Sequence, residues 1–188
     1  MIALWTAYWL ERFRLRIFVP AAMAVAAAAQ AGGGIDARRS TIDLVCALLL
    51  LAQFRLWDDL ADRERDRVTH PVRVLVRATP VSPFVATCLL LAIVNIVLQA
   101  WLRGVGSATA LAALDVSASA WYAWRPARRS AATDLVLLSK YPAFVLLLAA
   151  GSTSSPPLVV LSAAAIYGLA CAFEIWHDTS GPLRVTNS

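Results

Sequence analysis

The sequence predicts an all-α protein, a polytopic membrane bundle of about six transmembrane helices that form one domain over residues 1–188. Hydrophobic residues make up 60% of the chain, against roughly 45–50% in a soluble domain. Only 15% of the residues are charged and the mean hydropathy is +0.65, so a soluble fold would lack the polar surface to cover itself. Six apolar segments show no strand-like alternation, and lipid offers no partners for unpaired backbone groups. A helical bundle satisfies those groups internally.

The helices are placed by the six apolar segments and by the glycines and prolines between them. Several segments approach the roughly 20 residues that cross the hydrocarbon core, and the first two borrow flanking turns. The predicted helices lie near residues 17–31, 41–65, 81–102, 105–124, 131–150 and 158–176. Arginines before an alanine-rich stretch near the N-terminus are similar to a secretory signal. Aromatic residues there (Trp5, Tyr8, Trp9 and Phe13) favour instead an interfacial segment that leads into a retained helix.

The basic residues predict the orientation in the membrane. With the N-terminus in the cytoplasm, twelve arginines fall in inside segments and only Arg38, Arg39 and Arg103 fall outside. This asymmetry follows the positive-inside rule. We therefore expect a multi-pass protein of the cytoplasmic membrane, with its N-terminus and the end of its second helix on the cytoplasmic side. The net charge of +5 is explained by this topology, so no nucleic-acid partner is expected.

Four aspartates end the second predicted helix. At about 100° per residue, the side chains of Asp58, Asp59, Asp62 and Asp66 fall within one quadrant of a continuous helix. Carboxylates that share a face repel each other unless a cation lies between them. The pattern predicts a hard divalent ion with oxygen ligands, Mg²⁺, which in turn attracts phosphate. A solvated helix end is the alternative, because arginines and a glutamate interleave with the acids between residues 62 and 67.

Three further residues are predicted to face the same site. Glu174 and Asp178 are one turn apart at the end of the sixth predicted helix, on the same side of the membrane. An exposed, frayed helix end is the alternative for this pair. Lys140 is the only lysine and lies in the fifth apolar segment, where a charge needs an inward orientation and a counter-charge. We expect it to face phosphate or to pair with Asp134 or Asp115.

The Asp-rich stretch resembles the first motif of the UbiA-type intramembrane prenyltransferases. Residues 58–66 read DDLADRERD and are followed by HPVRVL. The family motif is N-D-x-x-D-x-x-x-D with an Arg-Pro-Leu-like element after it, and the Glu174/Asp178 pair is similar to a reduced second motif. The resemblance covers nearly the whole chain and implies a UbiA-like fold. Family members usually have nine helices, so a six-helix chain implies that a second copy or a partner membrane subunit completes the cavity wall.

The resemblance also implies a Mg²⁺-dependent transferase. In that family a polyprenyl diphosphate in the lipid bilayer ionises to an allylic cation, which a small, often aromatic acceptor captures. A dry cavity protects the cation from water. The implied catalytic residues are Asp59, Asp62, Asp66 and Lys140. The implied metal ligands are Asp58, Asp59, Asp62, Asp66, Glu174 and Asp178. Asp58 stands in place of the motif's Asn. Arg55, Arg65 and Lys140 are expected to contact the diphosphate. Their depth in the membrane and their helix face indicate this role, not a match to the motif.

Two other functions are compatible with parts of the sequence. The first is a catalytically degenerate relative, which would bind isoprenoids or lipids or act as an accessory subunit. The second is a phospholipid-headgroup transferase of the CDP-alcohol type. That family needs a D-G-x-x-A-R element, whereas Arg63 follows Asp62 here and no glycine is near.

Overall fold

The computed structural model describes residues 2–34, 36–124 and 131–177, with the side chains of residues 131, 132 and 177 left aside. Within these ranges the chain is helical and contains no strand, which confirms the predicted all-α class. The helices are α1 (Ile2–Arg12), α2 (Leu15–Ala29), α3 (Ala37–Ala61), α4 (Arg63–Thr69), α5 (Val74–Arg77), α6 (Ser82–Arg103), α7 (Val105–Trp124), α8 (Ala131–Leu138), α9 (Lys140–Ala149) and α10 (Pro156–His177).

In the described part of the chain three helices, α3, α6 and α10, are long and apolar enough to cross a membrane. α2 is apolar but shorter, with 15 residues. Large apolar side chains are exposed along α6 and α10, among them Leu90, Ile93 and Leu161. Such surfaces are unfavourable in water and favourable in lipid. The chain therefore has the character of a membrane protein, and the structure supports three spans of this length where the sequence predicts six.

Two of the predicted helices are interrupted, each next to the candidate site. The segment predicted at 41–65 ends at Ala61, and a turn at Asp62 separates α3 from α4. The segment predicted at 131–150 breaks at Ser139, between α8 and α9. Pro142 accounts for this second break, because it has no N–H to donate to the carbonyl four residues earlier. The other four predicted helices begin and end within two residues of α2, α6, α7 and α10.

α3 is the central helix of the bundle and packs against α2, α6 and α9. Its Leu50 and Phe54 are buried, and the Phe54 ring centre lies 5.1 Å from that of Phe144 on α9. Such an aromatic pair contributes roughly 0.5–1.5 kcal/mol beyond its buried area. This packing brings the last turn of α3, which carries Asp58 and Asp59, against α1, α7 and α9. We call this the Asp-rich end of the bundle.

A buried ion pair joins the opposite end of the bundle. Arg103, the last residue of α6, binds Asp43 of α3, and the two side chains are 5% and 2% exposed. Arg103 Nε also donates to the carbonyl oxygen of Leu148 at 3.0 Å. Gln30 Nε2 donates to Asp43 at 2.8 Å. The ends of α2, α6 and α9 are thereby fastened to the first turns of α3.

A polar cluster lies between these two ends. Gln53 of α3 donates to Asp115 Oδ1 of α7 at 2.9 Å and accepts from Asn95 Nδ2 of α6 at 2.8 Å. All three residues are buried. Polar side chains at such positions hold helices together by hydrogen bonds across the interface. Gln53 is the shared member, so it links α3 to both α6 and α7.

Replacing Gln53 with leucine is expected to lower the free energy of unfolding by roughly 1–3 kcal/mol, because Asn95 and Asp115 lose the partner they share. The melting temperature of the purified protein in detergent measures the effect. Val97→Leu, an apolar change at an exposed position of α6, is the control and should leave the melting temperature unchanged. If Gln53→Leu melts like the wild type, the cluster does not stabilise the bundle.

Candidate functional site

Asp58 lies where three helices meet. It is on the last turn of α3, and its carboxylate accepts hydrogen bonds from the Tyr122 hydroxyl of α7 and the Lys140 ammonium of α9. The Lys140 side chain is only 10% exposed. An ammonium this well shielded from water needs a carboxylate close by. Asp58 supplies it, whereas the sequence suggested Asp134 or Asp115.

Asp59 faces a different neighbour, the N-terminal helix α1. Its carboxylate accepts from Arg12 Nε at 2.9 Å, from Arg12 Nη2 at 2.6 Å and from the Tyr8 hydroxyl at 3.0 Å. Arg55, one turn earlier on α3, adds a contact at 3.3 Å. A two-pronged guanidinium–carboxylate pair is strong and fixes geometry as well as charge. α1 is therefore attached directly to the Asp-rich end.

Tyr8 and Glu11 strengthen this attachment. Burial, and then the nearby charge of Asp59, raises the pKa of the Tyr8 phenol well above its ordinary value. The phenol therefore stays protonated at physiological pH and remains a donor to Asp59. The Glu11 carboxylate accepts from the backbone N–H of Val74 at 3.0 Å. α1 thus also holds the start of α5.

Asp62 and Asp66 lie at and beyond the turn that ends α3. Because this turn breaks the helix, the single face predicted for a continuous helix does not apply to them. Asp66 binds the Arg73 guanidinium, and its carboxylate lies 3.5 Å from Nδ1 of His70. Asp62 lies 3.9 Å from Nη1 of Arg65, a separation at which a partly exposed pair contributes little.

Of the other residues predicted for the site, one lies on α4 and one on α10. Arg65 is on α4 beside Asp62, and among the described residues it makes no ion pair with the acids of α3. Glu174 is half-buried on α10, near enough to Tyr141, the neighbour of Lys140, for its charge to act on that phenol. The other half of that acidic pair, Asp178, lies outside the described residues.

In their present arrangement, the described side chains do not form a group of ligands that could hold Mg²⁺. Magnesium demands near-octahedral oxygen ligands at about 2.0–2.1 Å. Across residues 2–34, 36–124 and 131–177, no three side chains of the His, Cys, Asp and Glu types are placed to hold one metal ion. The carboxylates of Asp58, Asp59 and Asp66 bind lysine or arginine instead. Their charges are balanced by the protein's own cations.

Arg55 carries an unsatisfied donor at this site. Its Nε is buried and has no hydrogen-bond acceptor in the described part of the chain. Burying such a donor unpaired costs roughly 1–3 kcal/mol. An anionic oxygen placed there would remove that cost and gain a charge-assisted bond. The site is therefore receptive to an anion.

Sequence patterns alone miss four members of this site. They assign Arg12 and Arg73 to membrane orientation, Arg73 also to the HPVRVL element, and Tyr8 to an interfacial segment. They give no role to Tyr122. The spacing of Tyr8 and Arg12, four residues apart on one face of α1, is a usable signal for a shared partner. Tyr122 offers none, because it lies 64 positions from Asp58 in the chain.

Comparison with models of known protein families, with curated proteins and with solved structures finds no match to this chain.

Proposed function

We propose that this chain is a UbiA-like membrane transferase, which moves a prenyl group from a polyprenyl diphosphate to a small, often aromatic acceptor. The proposed site is the Asp-rich end, and the proposed orientation places that end at the cytoplasmic face of the membrane. A second copy of the chain or a partner membrane subunit would complete the cavity wall.

The observation that carries this proposal is the meeting of Lys140 and Arg55 with the aspartates of α3. Lys140 comes from α9 and reaches Asp58, while Arg55 keeps a buried N–H without an acceptor. The Lys140 ammonium is shielded from water, where its attraction for a phosphate oxygen is strongest, while the Arg55 side chain is 31% exposed and only its Nε is buried. Fold and charge thus support binding of a diphosphate that carries an apolar tail.

The expected chemistry is the stabilisation of a leaving group. As the bond between the prenyl carbon and the diphosphate oxygen breaks, negative charge collects on the diphosphate. Lys140 and Arg55 would exchange part of their bonding to Asp58 and Asp59 for bonding to that charge, which lowers the barrier. Mg²⁺ is expected to arrive as the counter-ion of the diphosphate substrate, since it commonly binds substrate phosphates together with one or two carboxylates.

Incubation of the purified protein with Mg²⁺ and radiolabelled polyprenyl diphosphates of several lengths tests the proposal. The wild type is expected to bind them in a Mg²⁺-dependent way and, with a suitable acceptor from a panel, to release diphosphate. Asp62→Asn is expected to lower turnover at least tenfold, the effect of about 1.4 kcal/mol on the barrier. Asp36→Asn, at the exposed start of α3, is the matched control, because Asn also caps a helix well.

The outcomes are distinct. If the wild type binds no polyprenyl diphosphate at any Mg²⁺ concentration, the site proposed here is wrong. If Asp62→Asn and Asp36→Asn turn over equally, Asp62 has no part in the reaction. Binding without release of diphosphate, across the acceptor panel, would favour a second candidate.

That second candidate is a catalytically silent isoprenoid-binding membrane protein or accessory subunit. The specific observation in its favour is the pairing of Asp58, Asp59 and Asp66 with cations of the chain itself. Ion pairs of this kind stabilise a resting structure without any metal. Binding that is independent of Mg²⁺ would support this candidate over the transferase.

A further inference from the structure

An apolar groove lies between α1 and the start of α6. Its volume is about 530 Å³, within the roughly 300–1,000 Å³ typical of small-ligand sites. Side chains from two stretches of the chain form its walls: Ile2, Leu4 and Trp5 from α1, and Pro80, Pro83 and Phe84 from the start of α6 and the loop before it. The groove is therefore suited to a hydrocarbon chain.

The buried Tyr8 ring lies between the groove and the Asp-rich end. Phe84, one of its walls, packs against the Tyr8 ring with the ring centres 5.4 Å apart. Tyr8 in turn lines a small cavity together with the charged side chains of Arg12, Asp59 and Arg73. Trp5 and Arg12 lie seven positions apart on one helix, about 10 Å along its axis. The apolar and the charged regions are thus neighbours along α1.

Two arginines at that end are placed to reach an anion. Arg12 binds Asp59 and Arg73 binds Asp66. The side chains of Arg12 and Arg73 are 18% and 23% exposed, so each keeps an accessible edge. A guanidinium group can bind a phosphate through two parallel hydrogen bonds. An apolar groove next to accessible arginines matches an amphiphile with a single apolar tail and an anionic head.

We propose that the groove beneath α1 holds the isoprenoid tail of the polyprenyl diphosphate, and that Arg12 and Arg73 contact its diphosphate. The inference rests on the proposed function and adds two things to it: the path of the tail and two head-binding residues. It also gives α1 a role, since this helix supplies one wall of the groove and one of the two arginines.

The test compares the affinities of farnesyl diphosphate and inorganic diphosphate in two variants of α1. Ile2→Asp places a charge in the groove, and Leu10→Asp places the same charge on the same helix outside it. Both positions are highly exposed, at 83% and 75%, so both variants should fold. The measured quantity is the affinity for farnesyl diphosphate divided by the affinity for inorganic diphosphate. We expect Ile2→Asp to lower this ratio about tenfold. Leu10→Asp should leave the ratio unchanged.

Two further measurements locate the ligand. Arg12→Gln is expected to weaken both diphosphates by a similar factor, because it acts on the head alone. A farnesyl diphosphate analogue with a diazirine in its tail is expected to label peptides that contain residues 2–5 and 79–84. The same label elsewhere in the bundle would overturn the assignment of the groove.

Failure of this inference differs from failure of the proposed function. If the wild type binds farnesyl diphosphate but Ile2→Asp keeps the wild-type affinity ratio, the groove assignment is wrong and the function stands. If the wild type binds neither diphosphate, both fail together. A co-purified phospholipid that is lost from Ile2→Asp, with the ratio unchanged, would make the groove an ordinary lipid site and overturn the inference.

Discussion

Lys140→Met is expected to weaken binding of farnesyl diphosphate roughly 10- to 100-fold, the range given by loss of one hydrogen bond to a charged group. The ammonium is shielded from water and already placed at the Asp-rich end, so no other side chain can easily replace it. Isothermal titration or filter binding with the purified protein measures the affinity. Lys140→Arg keeps the positive charge and should retain much of the binding.

The same variant also disturbs the fold, because Asp58 loses its ammonium partner. A second variant separates the two effects. In the pair Asp58→Asn with Lys140→Met, no unpaired charge remains, so the melting temperature should return toward that of the wild type. Binding should stay weak. If Lys140→Met binds the diphosphate as tightly as the wild type, Lys140 serves only as the structural partner of Asp58.

Asp43→Ala is expected to cause the largest loss of stability, about 3–5 kcal/mol, because it leaves the buried guanidinium of Arg103 without a counter-charge. Gln30 loses its acceptor as well. For a chain of this size each kcal/mol corresponds to about 2–4 °C, so the melting temperature in detergent should fall by roughly 6–20 °C. Thermal unfolding followed by circular dichroism gives the value.

A matched control and a rescue accompany this prediction. Glu64→Ala removes the acid of an exposed pair with Arg67, and such pairs contribute less than about 0.5 kcal/mol. Asp43→Ala combined with Arg103→Leu removes both buried charges and should recover most of the lost stability. A melting temperature of Asp43→Ala equal to that of Glu64→Ala would show that the buried pair does not hold this end together.

Hydropathy alone predicts that the chain is helical and apolar, since these properties are averages over many residues. It also places most helix ends closely, because glycines, prolines and charges mark them locally. The exceptions, at Asp62 and Ser139, show the limit of that approach. A helical face drawn across residues 58–66 assumes an unbroken helix, and the turn at Asp62 removes that assumption.

For the site, too, the sequence predicts some features and the packing of the helices decides the others. The sequence identifies Asp58, Asp59, Lys140 and Arg55 as unusual, because charge in or beside an apolar helix is costly and needs a reason. It does not identify their partners. Tyr8 and Arg12 reach Asp59 from α1, and the pairing depends on the angle at which that helix crosses the end of α3.

The sequence by itself therefore determines that this is an apolar helical protein with a concentration of acids and arginines at one end of its second long helix. Only the tertiary structure decides that Asp59 meets Arg12 and Asp58 meets Lys140, because these contacts join residues 47 and 82 positions apart. Local periodicity sets the face on which a side chain lies, and helix packing sets what lies opposite it. The difference matters here: carboxylates that periodicity gathers around one ion are distributed by packing among separate cations.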